Sequence, residues 1–388
     1  MIYDNIKRNK NNIVEIKDYV KIDYVNGPCV EILGSENSTY KIEFIDKKTN
    51  IKHFESEIKT NHWARANIRY FVNWKIKIWQ DNSLFYEEDY NANDKRVYIS
   101  IDSKALGDTL AWFPYIEEFG KKHNCKMVAS TFHNTMLENQ YPNIEFVKPG
   151  EVVHNLYAMY SLGLFYNDDG SLVATDDGNI NLFKNPKDPK SVTMQQMATD
   201  ILGLEYKEIK PKLPKRNVEK DNKLITIATH GTAQSKYWNN PTGWQDVVDW
   251  LNDRGYTVKL LSKESHDYMG NPNPKGIIKH PEGPIESVID EMVKSKAFIG
   301  IGSGLSWLSW ALGTKTVLIS GFSYDWAEMQ DCVRIGAPKD KCSGCFNRVR
   351  LNAGDWNWCP DHKDTDRQFE CTKSITSEMV IKELEKFL

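Results

Sequence analysis

The cysteines of this 388-residue chain are unevenly distributed, and five of the seven lie between residues 332 and 371. Four of them have the spacing C-x2-C-x13-C-x11-C, formed by Cys342, Cys345, Cys359 and Cys371. Four thiolates spaced in this way can close a tetrahedral site for zinc, or for iron in a rubredoxin-like arrangement. Because protein ligands would fill every position around the ion, the sequence predicts a structural metal rather than a catalytic one.

A set of reduced cysteines or disulfides is the competing interpretation of this cluster. The N-terminal residues lack the apolar segment of a secretory signal, which disfavours a secreted disulfide framework. His362 is an alternative metal ligand, whereas Cys332 is expected to take no part. Zinc and iron both remain open.

Asp108 lies where the apolar strand RVYISID (96–102) gives way to a segment with helical spacing. A carboxylate at the carboxyl end of a strand can act as a general base that takes a proton from a hydroxyl group. The alternative is that Asp108 only caps the helix, since aspartate is a frequent N-cap residue. Gly107 is expected to permit a tight turn just before it.

The segment HGTAQSKYW (230–238) has the composition of an anion site at a second strand-to-helix turn. Thr232 offers a hydroxyl group and Lys236 a positive charge, and the helix that follows favours phosphate at its N-terminus. The alternative is a solvated loop, since the segment is not a P-loop. His230 is expected to be a hydrogen-bond partner rather than a base.

A glycine-rich segment, GIGSGLSW (300–307), forms a third strand-to-helix turn. Its backbone N–H groups could bind a donor phosphate at a helix N-terminus. Close packing of a helix on a strand is an equal alternative, because glycines serve both purposes. The candidate binding residues are Gly302, Ser303, Gly304 and Leu305, while Trp307 and Trp310 are expected in the core.

Three structural units are predicted to position these turns. Alternating polar and apolar residues indicate an N-terminal antiparallel β-domain over residues 1–95. Strand–helix alternation then indicates two Rossmann-like units, 96–215 and 216–388, joined by a Pro/Lys-rich linker near 210–222. Ligands of such α/β folds bind at the carboxyl ends of the strands, so the three turns should face one cleft.

Composition restricts the possible functions. Fifty Lys and Arg against 53 Asp and Glu give a net charge of −3, so there is no basic field for nucleic acid. No apolar run approaches the ~20 residues of a membrane span. A cytoplasmic protein is expected, and the absence of an Asp-x-Asp motif predicts that no catalytic divalent ion is needed.

The three turns and the four cysteines together resemble the bacterial autotransporter heptosyltransferases, a branch of glycosyltransferase family 9. The resemblance covers residues 97–375 and less clearly the β-domain. It implies a GT-B fold, with two Rossmann-like domains facing a cleft. It also implies inverting transfer of heptose from ADP-heptose to a serine hydroxyl group of an autotransporter-like protein acceptor, a structural iron held by four cysteines, and homo-oligomers.

The resemblance also implies roles for individual residues. Asp108 corresponds to the catalytic base, Lys236 and Thr232 to the diphosphate-binding pair, and the 302–305 turn to the donor loop. The sequence leaves a heptose or a hexose donor open. Two alternatives remain: a glycosyltransferase using another nucleotide sugar on a glycan or small-molecule acceptor, and a non-catalytic scaffold that binds nucleotide sugars.

Overall fold

The computed structural model describes residues 19–166 and 180–388 of the chain. Its first part consists of two antiparallel sheets, with the strand orders β1-β2-β5 and β4-β3-β6-β7. The strands are β1 (Tyr19–Asp23), β2 (Cys29–Leu33), β3 (Thr39–Asp46), β4 (Lys52–Lys59), β5 (His62–Arg65), β6 (Trp74–Gln80) and β7 (Ser83–Asp89). The predicted antiparallel strands are confirmed here, whereas residues 1–18 lie outside the described residues and the boundary at residue 95 stays a prediction.

Strand β6 shows why these residues form a sheet. Trp74, Ile76 and Ile78 are buried on one face, because successive side chains of a strand point to opposite faces. The lysines between them point outward, and Lys75 pairs with Glu87 of β7 at 2.6 Å. A shift by one residue would bury the lysines, so the alternation determines the register.

The first α/β unit contains a four-stranded parallel sheet with the order β10-β9-β8-β11. Its strand β11 and helix α4 were not predicted, although Thr193 caps α4 and Gly203 ends it in a left-handed conformation. The elements are β8 (Arg96–Ile101), α1 (Leu106–Trp112), α2 (Pro114–His123), β9 (Lys126–Ser130), α3 (Asn134–Leu137), β10 (Ile144–Phe146), β11 (Ala158–Leu162) and α4 (Met194–Leu202).

The second unit contains a six-stranded parallel sheet with the order β14-β13-β12-β15-β16-β17. The linker predicted near 210–222 has neither helix nor strand up to residue 220, and its last two residues belong to β12. The elements are β12 (Asp221–Ala228), α5 (Gly243–Asp253), β13 (Thr257–Leu260), β14 (Ile278–Lys279), α6 (Ile285–Lys294), β15 (Ser295–Ile301), α7 (Gly304–Leu312), β16 (Lys315–Ile319), β17 (Val333–Ile335), α8 (Glu370–Lys373) and α9 (Ser377–Leu384).

The two α/β units touch where helices α1 and α7 begin. A Cβ atom added to Gly107 would lie 3.0 Å from Cδ1 of Trp307, and one added to Gly304 would lie 3.2 Å from the backbone nitrogen of Gly107. The expectation of a tight turn at Gly107 is wrong, because this residue lies inside α1. Its lack of a side chain instead lets α7 approach. Trp307 and Trp310 are buried, as predicted.

The N-terminal sheets share a hydrophobic core with the first α/β unit. Tyr24 extends the parallel sheet: its backbone N–H donates to Tyr157 O at 2.8 Å, and its carbonyl accepts from Met159 N–H at 3.2 Å. The rings of Tyr24, Tyr90 and Tyr157 lie within 5.2 Å of one another, centroid to centroid. Within the described ranges, no helix combines the length and apolar character needed to cross a bilayer.

Replacing Gly107 with valine is expected to destabilise the protein, because the new side chain must enter space next to Trp307 and Gly304. Overpacking of this kind costs about 1–3 kcal/mol in the free energy of unfolding, which urea denaturation measures. Gly336→Val is the matched control, since a Cβ atom there meets only Ser320 O, at 3.7 Å. Equal destabilisation by both substitutions would contradict the packing role of Gly107.

Candidate functional site

Asp108 is the third residue of α1, and its half-buried carboxylate is within electrostatic reach of Lys236 in the second α/β unit. The N-cap of this helix is Ala105, which makes no side-chain capping bond. The interpretation of Asp108 as an N-cap is therefore wrong, because the helix begins at Leu106. Its carboxylate is not used to cap the helix.

The surroundings of Asp108 act on its pKa in opposite directions. Burial raises the pKa above its ordinary value, whereas the Ser103 side chain and the positive charge of Lys236 lower it, and the balance is a raised pKa. A carboxylate with a raised pKa accepts a proton more readily than an exposed aspartate does. The local environment therefore suits Asp108 to general-base chemistry.

Lys236 ends a short turn after β12, and its ammonium group donates a hydrogen bond to Thr232 Oγ1 at 3.3 Å. Burial lowers the pKa of Lys236, while the carboxylates of Asp108 and Glu328 raise it. The structure thus brings the predicted pair Thr232 and Lys236 together and places the cation in reach of two carboxylates. Their part in diphosphate binding stays a prediction.

Two buried polar atoms beside Lys236 have no hydrogen-bond partner among the described residues: Ser235 Oγ and His230 Nε2. The other ring nitrogen of His230 contacts Thr229 Oγ1 at 2.7 Å, and burial lowers the pKa of this histidine. Tyr237 and Trp238 join His230 in lining a cavity of about 310 Å³ on this side of the turn. The prediction of His230 as a hydrogen-bond partner is compatible with this geometry.

At each glycine of the third turn, a side chain would come too close to a neighbouring residue. An added Cβ atom would lie 2.5 Å from the Phe298 ring at Gly300, 2.7 Å from Glu328 Oε1 at Gly302, and 3.1 Å from Leu106 Cβ at Gly304. The packing interpretation is therefore supported at all three positions, and ligand contact stays a prediction.

Ser303 and Leu305, the other predicted residues of this turn, are placed differently. Ser303 is the N-cap of α7 but makes no side-chain capping bond, and its buried Oγ has no partner in the described part of the chain. The side chain of Leu305 packs against the core. The backbone N–H of Leu305 has no acceptor within the helix, so this group, rather than the side chain, is suited to binding the nucleotide-sugar donor.

Glu328 is a candidate site residue that the sequence reasoning missed. It lies between β16 and β17, and its side chain is only 13% exposed. Its Oε2 accepts hydrogen bonds from Ser323 Oγ, at 2.6 Å, and from the Arg334 guanidinium group. No local sequence signal distinguishes it, because its place in the site depends on its contact with the distant Gly302.

The thiol of Cys371 is hydrogen-bonded to that of Cys342 and lies within electrostatic reach of those of Cys345 and Cys359. Gly344, at φ = 69°, forms the left-handed turn of the C-x2-C segment. All seven cysteines lie in the described ranges, and none of them forms a disulfide there. The disulfide interpretation is therefore not supported. Cys332 is separate, as expected, and its thiol donates to Met329 O at 3.3 Å.

The arrangement of these side chains fits a metal ion. The hydrogen bond with Cys371 lowers the pKa of Cys342 to about 6, which favours a thiolate ligand. Among the described residues, Cys342, His362 and Glu370 place ligand atoms within 4.8 Å of one another, and this compact group does not include the other three predicted cysteines. Glu370 is already paired with Arg367 at 2.7 Å, so His362 is the stronger alternative. Sulfur and imidazole ligands suit zinc or iron.

Comparisons with known proteins agree with this geometry. The model of glycosyltransferase family 9 (heptosyltransferase) matches residues 179–325. The chain is 34% identical to the autotransporter heptosyltransferase Aah of Escherichia coli over 92% of this chain and 90% of that protein. It is 26% identical to BimC of Burkholderia thailandensis, described as an inactive autotransporter heptosyltransferase, over 93% of this chain and 84% of that protein.

A solved structure extends the similarity to the fold. TibC of enterotoxigenic Escherichia coli, described as an iron-containing dodecameric glycosyltransferase, superimposes with a TM-score of 0.84 at 30% identity and covers 95% of both chains. The complex of TibC with ADP-D-β-D-heptose gives the same values. The chain thus has a mixed α/β glycosyltransferase fold with parallel sheets.

Replacing Lys236 with methionine is expected to raise the pKa of Asp108, because the substitution removes a positive charge that stabilises the ionised carboxylate. The titration midpoint of the Asp108 carboxyl carbon, followed by 13C NMR, should move to higher pH. Lys220→Met is the matched control, since Lys220 is also partly buried and its pKa is lowered by burial alone. An unchanged midpoint in Lys236→Met would refute the coupling.

Proposed function

Because this chain belongs to the autotransporter heptosyltransferases of glycosyltransferase family 9, we propose that it transfers a heptose from ADP-heptose to a serine hydroxyl group of a protein acceptor, with inversion at the anomeric carbon. The chain is a glycosyltransferase, and its relative TibC has been solved with ADP-D-β-D-heptose. The serine acceptor, the inversion and a cytoplasmic location are the parts of this proposal that need direct tests.

Asp108 acts as the general base in the proposed reaction. Its carboxylate takes the proton of the acceptor hydroxyl group while the oxygen attacks the anomeric carbon. A new carbon–oxygen bond forms on one face of the sugar as the bond to the diphosphate breaks on the other. One displacement of this kind inverts the configuration, and ADP carries away the electron pair of the broken bond.

The second α/β unit stabilises the leaving group. Negative charge grows on the diphosphate as the bond breaks, and fixed positive groups lower the energy of that state. Lys236 supplies a full charge, Thr232 supplies a hydroxyl group 3.3 Å from it, and the first N–H groups of α7 supply partial positive charge. None of these steps requires a catalytic divalent ion.

The electrostatic contact between Asp108 and Lys236 is the observation that carries this proposal. The two residues come from different α/β units, separated by more than a hundred residues of sequence. They are within electrostatic reach of one another because Gly107 and Gly304 let the two units approach closely. A base for the acceptor and a cation for the donor are thereby in reach of one reacting centre.

The four-cysteine cluster is proposed to hold a structural iron, with zinc as the alternative. Cys345, Cys359 and Cys371 are buried and Cys342 is half-buried, so an ion held by them is shielded from solvent. Such an ion supplies conformational order rather than chemistry. Since TibC is described as dodecameric, a homo-oligomer is part of the same proposal.

Release of ADP is the most direct test of the function, and one inactive relative makes this test necessary. The purified protein is incubated with ADP-heptose and a passenger fragment of an autotransporter. We expect ADP and one added heptosyl mass on serine peptides, and NMR of the glycopeptide gives the anomeric configuration. ADP-hexoses, GDP-sugars and UDP-sugars serve as comparison donors. Transfer from a GDP- or UDP-sugar instead of ADP-heptose would overturn the proposal.

Replacing Asp108 with asparagine is expected to reduce transfer by about 10²–10⁴-fold, because the amide cannot accept the hydroxyl proton. Binding of ADP, measured by calorimetry, should change little. Asp331→Asn is the control, since Asp331 is an exposed aspartate that pairs with Lys210. Full turnover by Asp108→Asn would rule this residue out as the base.

Replacing Cys345 with serine is expected to lower the bound metal and the melting temperature, because one of four thiolate ligands is lost. Elemental analysis of anaerobically purified protein gives the metal content per chain. Cys332→Ser is the matched control and should keep the metal of the wild type. A wild-type protein without metal would exclude the site, and full metal content in Cys345→Ser would exclude Cys345 as a ligand.

A further inference from the structure

Only one of the two carboxylate oxygens of Glu328 is used by the protein. Oε2 accepts hydrogen bonds from Ser323 and Arg334. Oε1 receives none from the residues in 19–166 and 180–388. A Cβ atom added to Gly302 would lie 2.7 Å from Oε1 but 3.7 Å from Cδ, so Oε1 is the atom directed at the glycine loop.

Hydrogen bonds from neighbouring side chains fix the orientation of the Glu328 carboxylate. The Arg334 side chain is also only 13% exposed, and its guanidinium group further donates to Ser323 O at 2.9 Å. Charge-assisted hydrogen bonds of this kind fix both partners. Oε1 itself is not fully excluded from solvent, so a ligand group can reach it.

The position of this oxygen relates it to the donor. Lys236 is in electrostatic reach of both Glu328 and Asp108. In the proposed reaction, the diphosphate lies at Lys236 and the anomeric carbon lies towards Asp108. An unpaired carboxylate oxygen repels the phosphate oxygens and accepts hydrogen bonds from hydroxyl groups. The transferred sugar, which is uncharged and carries several hydroxyl groups, is therefore the part of the donor that suits Glu328 Oε1.

We propose that Glu328 Oε1 accepts a hydrogen bond from a hydroxyl group of the donor sugar and thereby determines which sugar is transferred. This inference rests on the proposed function, since it places the sugar of an ADP-activated donor beside Gly302. Gly302 and Glu328 act as a pair: a side chain at position 302 would occupy the space in front of Oε1. Because Gly302 has no side chain, a hydroxyl group of the sugar can reach the carboxylate.

The experiment compares the affinities of ADP and ADP-heptose, by calorimetry, for wild type and for Glu328→Gln. We expect ADP to bind Glu328→Gln at least as tightly as wild type, because ADP lacks the transferred sugar and the substitution removes only a charge that repels phosphate. ADP-heptose should bind about 10- to 100-fold more weakly to Glu328→Gln, the range expected for a hydrogen bond to a charged group. The kcat/KM for ADP-heptose should fall in parallel, and its ratio to kcat/KM for ADP-glucose should shrink.

The control is Glu291→Gln, because Glu291 is also half-buried, pairs with Lys259 through Oε1 at 2.9 Å, and has an unpartnered Oε2. It should bind both ligands like wild type. Gly302→Ala tests the same contact with Glu328 and Arg334 both retained, because its Cβ atom would crowd Oε1, and it should reproduce the selective loss of ADP-heptose affinity. It also keeps the test valid if Glu328→Gln fails to fold.

The outcomes separate this inference from the proposed function. If wild type binds no ADP-sugar more tightly than ADP, the proposed function and this inference both fail. If wild type binds ADP-heptose more tightly than ADP, and Glu328→Gln and Gly302→Ala bind ADP-heptose as tightly as wild type, only the role of Glu328 is overturned. Equal losses of ADP and ADP-heptose affinity would also overturn it, because Glu328 would then act on the loop or on Lys236 rather than on the sugar.

Discussion

The close approach of two helix starts, α1 and α7, is the constraint on which the candidate site depends. Gly107 and Gly304 meet there without side chains, and the ring of Trp307 fills the adjoining space. Each helix begins at the carboxyl end of a parallel strand, where α/β folds bind ligands. The contact therefore brings together groups from two separate sheets, and a larger residue at either glycine would separate them.

The charges near the junction of the two α/β units differ from the net charge of the whole chain. A net charge of −3 provides no attraction for an anionic donor. Lys236 is half-buried within electrostatic reach of two carboxylates, which favour its protonated form against the effect of burial. In the proposed reaction this locally placed cation, rather than the overall composition, attracts the anionic donor.

The repetitive parts of the structure were predictable from sequence, and the close contacts were not. Strands such as β8 and β12 are apolar runs that end in polar turns, so the sheets and the approximate places of Asp108 and Lys236 follow from pattern alone. The start of α1 was misjudged because Ala105 caps it without a side-chain signal. Glu328 was missed because its meaning depends on Gly302, a contact between distant segments that no local pattern reveals.

The backbone of Tyr24 joins the antiparallel sheets to the edge of the first parallel sheet, next to a shared group of tyrosine rings. Backbone hydrogen bonds and aromatic contacts therefore cross the predicted boundary at residue 95. Removing the first sheets would leave β11 with an open edge and uncover aromatic surface. The two parts share one hydrophobic core, so loss of the first sheets would expose apolar surface on the parallel sheet as well as their own.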